Sequence, residues 1–173
     1  LTSTMQQQTA RTEALKDTAY RDPLTGAYTR LYIFDYLALF LSRGEAFALA
    51  YIDLDGLKAI NDSFGHLAGD QYLKAFSSRF SENLNREDVF ARIGGDEFMV
   101  LFPGITAGAA RARLLTIRRR LEAARCENWS LSFSFGVSEA PTGTSKPREA
   151  LIREADLSMY EDKSARRKKE VQA

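Results

Sequence analysis

Apolar positions recur along this chain with two different periods, and the switches between them outline its elements. Over residues 30–42 an apolar face at helical spacing runs through Leu31, Phe34, Leu37 and Leu41, and Arg43-Gly44-Glu45 ends it. Residues 46–52 are seven apolar residues in a row, the pattern of a short strand covered on both faces. A short helix is expected over 57–64, with Gly65-His66 interrupting. A longer helix follows over 67–83, with Leu67, Leu73, Phe76, Phe80 and Leu84 near helical spacing. Two strand-like runs, 89–93 and 98–102, flank Gly94-Gly95-Asp96-Glu97. A tight hairpin is predicted there, its glycines at positive φ and both acids on an exposed tip. Residues 107–125 form a helical pattern with Ala110, Leu114, Ile117 and Leu121 facing inward. Over 131–137, Leu131, Phe133, Phe135 and Val137 alternate with Ser132, Ser134 and Gly136, which predicts a half-buried strand. A loop over 141–147 leads to a last helix over 148–169, basic at its end.

From 47 to 137 the order is β-α-β-β-α-β, the ferredoxin-like pattern of an α+β domain with a central antiparallel sheet and flanking helices. Residues 1–20 are polar, with a weak helical stripe through Leu1, Met5, Thr12, Leu15 and Ala19. They read either as a frayed arm or as the end of a signalling helix arriving from an upstream sensor. The expected division is an arm over 1–20 and one domain over 21–173.

Composition narrows the function. The chain has 173 residues, enough for one ordinary core, with 45% apolar and 27% charged residues. Lys and Arg number 24 against 23 Asp and Glu, and a net charge of +1 gives no basic surface for nucleic acid. A single cysteine, Cys126, excludes an internal disulfide and points to a reducing compartment. No apolar run approaches the roughly 20 residues that span a bilayer, so no membrane contact by this segment is expected. No signal peptide is visible. The sequence opens on Leu rather than Met, as a segment of a longer protein would. A cytoplasmic location is expected, either free or as the cytoplasmic part of a longer, membrane-anchored sensor.

Two acidic clusters carry the chemistry. Asp53 and Asp55 stand two apart where the 46–52 run breaks off, so they share a face. Alone they would read as a polar strand terminus. Asp96 and Glu97, beside two glycines that let a ligand approach the backbone, make a carboxylate metal site the better reading. Oxygen ligands of this kind suit Mg²⁺ or Mn²⁺.

Gly94-Gly95-Asp96-Glu97-Phe98 is the signature of the GGDEF family of diguanylate cyclases, and four other stretches resemble that family in the same order. Asp22, Leu24, Thr25 and Arg30 match its opening motif, while Ala27 and Thr29 depart from it. Ile52-Asp53-Leu54-Asp55 and the run 53–70 match almost position for position. Asp88 stands in register with an inhibitory R-x-x-D, where Asn85 replaces the arginine. Residues 155–163 resemble the closing motif. Beyond it Arg167 matches, but Asp162, Arg166 and Lys168 depart, Arg166 standing where the family has glycine. Residues 166–169 otherwise read as a solvated basic tail.

The resemblance implies a nucleotidyl-cyclase and polymerase palm that joins two GTP into cyclic di-GMP and two pyrophosphates. It implies metal ligation by Asp53, the Leu54 carbonyl, Asp96 and Glu97. Asp96 and Glu97 are also its catalytic residues, with the division of labour between them open. Substrate contacts fall to Lys58, Lys163 and Arg167 at the phosphates, Asn61 and Asp70 at the guanine edge, and Gly94 and Gly95 at the close approach. His66 falls beside that pocket, as a direct contact or as a turn residue. One chain holds one GTP, so a homodimer of half-sites is implied, since no internal repeat supplies a second site. The rival reading is a catalytically silent GGDEF module that binds GTP or cyclic di-GMP and regulates a neighbouring domain. Asp70 disfavours a cyclase for another nucleotide.

Overall fold

The computed structural model describes residues 4–8, 15, 18–126 and 129–172. Its strands are β1 (Tyr28–Thr29), β2 (Phe47–Leu54), β3 (Val89–Arg92), β4 (Glu97–Pro103), β5 (Arg125–Cys126), β6 (Trp129–Ser130) and β7 (Phe133–Ala140). Its long helices are α1 (Arg30–Arg43), α2 (Leu57–Phe64), α3 (His66–Ser81), α4 (Ala107–Ala123) and α5 (Arg148–Gln172). Residues 4–8, 15 and 18–20 are also helical, and the rest of the expected arm lies outside the described residues.

Five strands form one sheet in the order β1-β3-β4-β2-β7, with β5 and β6 as a separate small hairpin. Within it, β2 runs antiparallel to both β4 and β7, and β3 antiparallel to β4. This is the ferredoxin-like order expected from the sequence, and it is the palm fold of the structural neighbours described below. The pattern did not reveal β1, a two-residue strand parallel to β3 at the sheet edge.

Strand β2 is buried along its whole length, as its apolar run requires. Its alternate residues feed two cores. Ala48, Ala50, Ile52 and Leu54 pack with α2, α3 and α4 around Phe76, Phe80 and Phe133. Phe47, Leu49 and Tyr51 pack with α1 and α5 around Ile33, Leu37 and Met159. Asp53 continues the second series and therefore points to the α5 side.

Several expectations need correction. The buried face of α1 is Ile33, Leu37 and Phe40, with Leu31 exposed. In α3 the inward residues are Tyr72, Leu73, Phe76 and Phe80, and Leu67 at its first turn is 80% exposed. The last strand begins at Phe133 rather than 131 and runs to Ala140, because its register on β2 continues through Ser138, Glu139 and Ala140, where no large apolar residue marks it. Nor is it half-buried: Ser134 and Ser138 are buried beneath α5. The reason is Gly136, where a Cβ would lie 2.1 Å from the Ala155 carbonyl oxygen and 2.1 Å from the Met159 amide nitrogen. Without a side chain there, the α5 backbone settles directly on the sheet.

Candidate active site

The register of β2 on β4 places Asp53 opposite Glu97. The Leu54 amide donates to the Asp96 carbonyl at 2.8 Å, which ties the end of β2 to the β3–β4 turn. The two acidic clusters thus meet on neighbouring strands. The turn differs from the expectation. Neither Gly94 nor Gly95 lies in the left-handed region, and Asp96 and Glu97 are half-buried rather than on an exposed tip. What the glycines supply is room: a Cβ on Gly95 would meet nothing within 4 Å, and one on Gly94 only Glu97 Oε2 at 3.6 Å. The turn is shaped from below by Arg92. Its Nε and Nη2 donate to the Gly95 carbonyl at 3.2 and 2.9 Å, and Nε also to Gly94 at 3.3 Å.

Arg92 is held in turn by Asp22 at 3.3 Å. The same Asp22 oxygen accepts from the Thr25 amide at 2.9 Å and hydroxyl at 2.6 Å. Burial opposes the Asp22 charge, but the two Thr25 donors and Arg92 outweigh it and hold the carboxyl below its usual range. The opening motif therefore acts as a brace for the acidic turn. The sequence showed Asp22 and Thr25 only as part of the opening motif; the arginine immediately before Ile93-Gly94-Gly95 was the available signal for that link.

The acids crowd one another. Burial, and then the Asp53 charge, push the Asp96 carboxyl above its usual range, while Lys163 pulls the other way. Glu97 is likewise pushed up by burial, against a hydrogen bond from the Tyr51 hydroxyl, with Asp96 and Asp53 adding to the rise. Burial and the Glu97 charge push Tyr51 itself up to about 12. A site in which the Asp53 charge pushes up both Asp96 and Glu97 is one that a cation would relieve.

Asp53 tests whether a metal fits. It is 9% exposed, its Oδ2 takes the Lys163 ammonium at 2.6 Å, and its Oδ1 is buried with no hydrogen-bond partner among the described residues. An ionised oxygen so placed costs free energy unless a further cation or donor joins it. Leu54 and Asp96, with hard oxygen atoms, line the adjoining cleft. The donor set therefore fits Mg²⁺ or Mn²⁺, with Asp53 Oδ1 as the open ligand. Among the described residues no three His, Cys, Asp or Glu side chains already stand close enough together to hold a metal.

Beside these acids lies a cleft of about 530 Å³, walled by the β2–α2 turn, α2 and the outer half of α5. Lys58, Asp62, Lys163, Arg166 and Arg167 line it with Asp55 and Ser134. The structure thus brings Lys58, Lys163 and Arg167 to one cavity with Asp96 and Leu54. Asn61 and Asp70 sit further along, half-buried on α2 and α3. A Cβ on the buried Gly69 would fall 1.8 Å from Asn61 Oδ1, so the Asn61 amide is seated against the α3 backbone one residue from Asp70. His66 is exposed at the start of α3 and does not line the cleft. Sequence reasoning missed Gly69 and the half-buried placement of Arg166, because both depend on which helix lies alongside.

A model of the diguanylate cyclase GGDEF domain matches residues 19–169. The chain belongs to the GGDEF family. Among curated relatives, diguanylate cyclase DgcP of Pseudomonas aeruginosa is 36% identical over 90% of this chain and 24% of its own length. Probable diguanylate cyclase DgcT of Escherichia coli is 31% identical over 90% of this chain and 36% of its own length. This GGDEF domain thus spans about a quarter to a third of those relatives. The crystal structure of the coiled coil and GGDEF domain of DgcB from Caulobacter crescentus, in complex with c-di-GMP, superposes with a TM-score of 0.83 at 25% identity. The match covers 95% of this chain and 91% of that one. Among the described residues no helix is long and apolar enough to cross a membrane.

Proposed function

We propose that this GGDEF domain is a diguanylate cyclase that condenses two GTP into cyclic di-GMP with release of two pyrophosphates. The observation that carries the reading is Asp53 Oδ1, a buried carboxylate oxygen with no hydrogen-bond partner among the described residues, beside Leu54 in the wall of a cleft lined by Lys58, Lys163 and Arg167. Asp53, the Leu54 carbonyl, Asp96 and Glu97 would hold Mg²⁺ or Mn²⁺. When bound, the metal supplies positive charge to the phosphoryl oxygens and acidifies the attacking hydroxyl.

The remaining work falls to the chain's own residues. Lys58, Lys163 and Arg167 neutralise the triphosphate, which for Lys163 means turning from Asp53 towards phosphate. Asp70 accepts from guanine N1–H and the exocyclic amino group, and Asn61 serves the neighbouring acceptors or amino group. Gly94 and Gly95 let the nucleotide approach the turn backbone. Asp96 and Glu97, at the turn opposite Asp53, are the groups fitted to take the 3′-hydroxyl proton. His66 is a turn residue in this reading. Two protomers meet about a two-fold axis, each setting its 3′-hydroxyl against the other's α-phosphate. The segment before residue 21 acts as a tether from an upstream sensor and raises the effective concentration of half-sites.

The silent-module reading has one observation in its favour, the 2.6 Å contact that occupies Asp53 Oδ2 with Lys163. One assay separates the two. Purified domain with GTP and Mg²⁺ is expected to form cyclic di-GMP, with specific activity rising with protein concentration across a dilution series and falling further at low concentration when residues 1–20 are deleted. GTP binding without turnover at any concentration selects the silent module. Turnover with a flat specific activity from a demonstrated monomer refutes the two-half-site mechanism.

A further inference from the structure

Arg166 has no part in the reading above, yet it is no solvated tail residue. Its side chain is 24% exposed and lies against the sheet. Nη2 donates to Glu122 Oε1 at 2.9 Å and to Ser132 Oγ, and stands 3.5 Å from Asp55 Oδ2. Ser132 Oγ in turn donates to Glu122 at 2.7 Å, and Ser134 Oγ to Asp55 Oδ1 at 2.9 Å. Nη2 therefore makes all three of the Arg166 contacts named and anchors the guanidinium along one edge. Its Nε is buried with no hydrogen-bond partner among the described residues, while the same side chain lines the cleft.

Charge in the cleft gives that arrangement a use. Lys163 is engaged by Asp53, and the cleft carries acids of its own in Asp55, Asp62 and Asp96. A triphosphate brings several more negative charges. A guanidinium has five N–H donors in a rigid plane, and one anchored at Nη2 loses little freedom when its other donors engage an anion. Pairing with Glu122 and Asp55 also screens two carboxylates that would otherwise repel the same anion.

We propose that Arg166 is a polyphosphate-binding residue of this domain, anchored by Glu122 and Ser132 and presenting its remaining donors to a phosphate oxygen in the cleft. The inference rests on the cleft being the nucleotide site, and the test keeps the two apart. Inorganic tripolyphosphate, GTP and guanosine are titrated calorimetrically into wild type, Arg166→Gly and Arg166→Lys, with thermal unfolding of each free protein alongside. Loss of a charged hydrogen bond predicts tripolyphosphate and GTP weakened about tenfold in Arg166→Gly, an intermediate loss in Arg166→Lys, and guanosine unchanged. Unchanged tripolyphosphate affinity in both variants overturns the proposal. So does a parallel loss of guanosine, which would mean a distorted site, or a wild type that does not bind tripolyphosphate. A wild type that binds tripolyphosphate but neither GTP nor guanosine instead overturns the nucleotide reading. Should Arg166→Gly unfold, Arg166→Lys alone decides.

Discussion

Replacing Gly69 with Ala should leave the fold standing and damage the site. Gly69 is buried within α3 and takes no left-handed φ, so the backbone accepts alanine without strain. The added Cβ would lie 1.8 Å from Asn61 Oδ1, 2.8 Å from its Cγ and 3.3 Å from its Nδ2. Carbon contacts settle near about 3.5 Å, so the amide must retreat by roughly 1.5 Å. Only the end of one side chain is displaced, at an off-rotamer cost of about 1 kcal/mol. Alanine returns about 1 kcal/mol in helix propensity. The two terms cancel, and the melting temperature should move by no more than about 4 °C. If Asn61 reads guanine, losing its hydrogen bond should cost about 1–3 kcal/mol, a fall of roughly 5- to 150-fold in kcat/KM for GTP. Thermal unfolding and initial rates on the same preparation check both halves. Full activity at unchanged stability would show that the seated amide is not a substrate contact. A collapse in stability would show that backbone, not the Asn61 side chain, limits how closely α2 and α3 pack.

Asp96→Asn should abolish turnover and yet raise the thermal stability of metal-free protein at neutral pH. Burial and the Asp53 charge raise the Asp96 carboxyl, so its favourable contribution is present below its unfolded pKa and lost as pH rises through the folded value. The variant should therefore gain most on wild type above that range, and melting curves that differ equally at acid and neutral pH would contradict the argument. Asp88 accepts from Arg113 at 2.6 Å and from the Asn85 amide at 2.7 Å, where the inhibitory motif would need an arginine. Cyclic di-GMP should inhibit weakly through this surface, and tight non-competitive inhibition abolished by Asp88→Ala would show otherwise. Gly136→Val must displace helix backbone rather than a side chain, so urea unfolding should report a loss of about 3 kcal/mol or more. A smaller loss would mean that α5 slides without cost.

Local sequence carried the elements and the chemistry. Seven apolar residues in a row can only be satisfied by burial on both faces, and β2 is buried throughout. The two-residue spacing of Asp53 and Asp55, and the pairing of Asp96 with Glu97, announced carboxylates at two chain reversals before any sheet was known. The ferredoxin-like pattern, without the edge strand β1, followed from the alternation of helix and strand. Tertiary structure decided what those carboxylates face. Lys163 reaches Asp53 across 110 residues, and Arg92 reaches Asp22 across 70. Periodicity over a window of one or two turns holds no trace of such partners. The same limit hid the buried face of β7, where serine and glycine read as solvent-facing although Gly136 is what admits α5. It also hid Arg166, whose charge belongs to a surface tail by composition and to the cleft wall by the path of its helix. Hydrophobic pattern reports which residues leave water, because that cost is local to each side chain. Which polar groups meet is set by how helices and sheet pack, a property no single stretch contains.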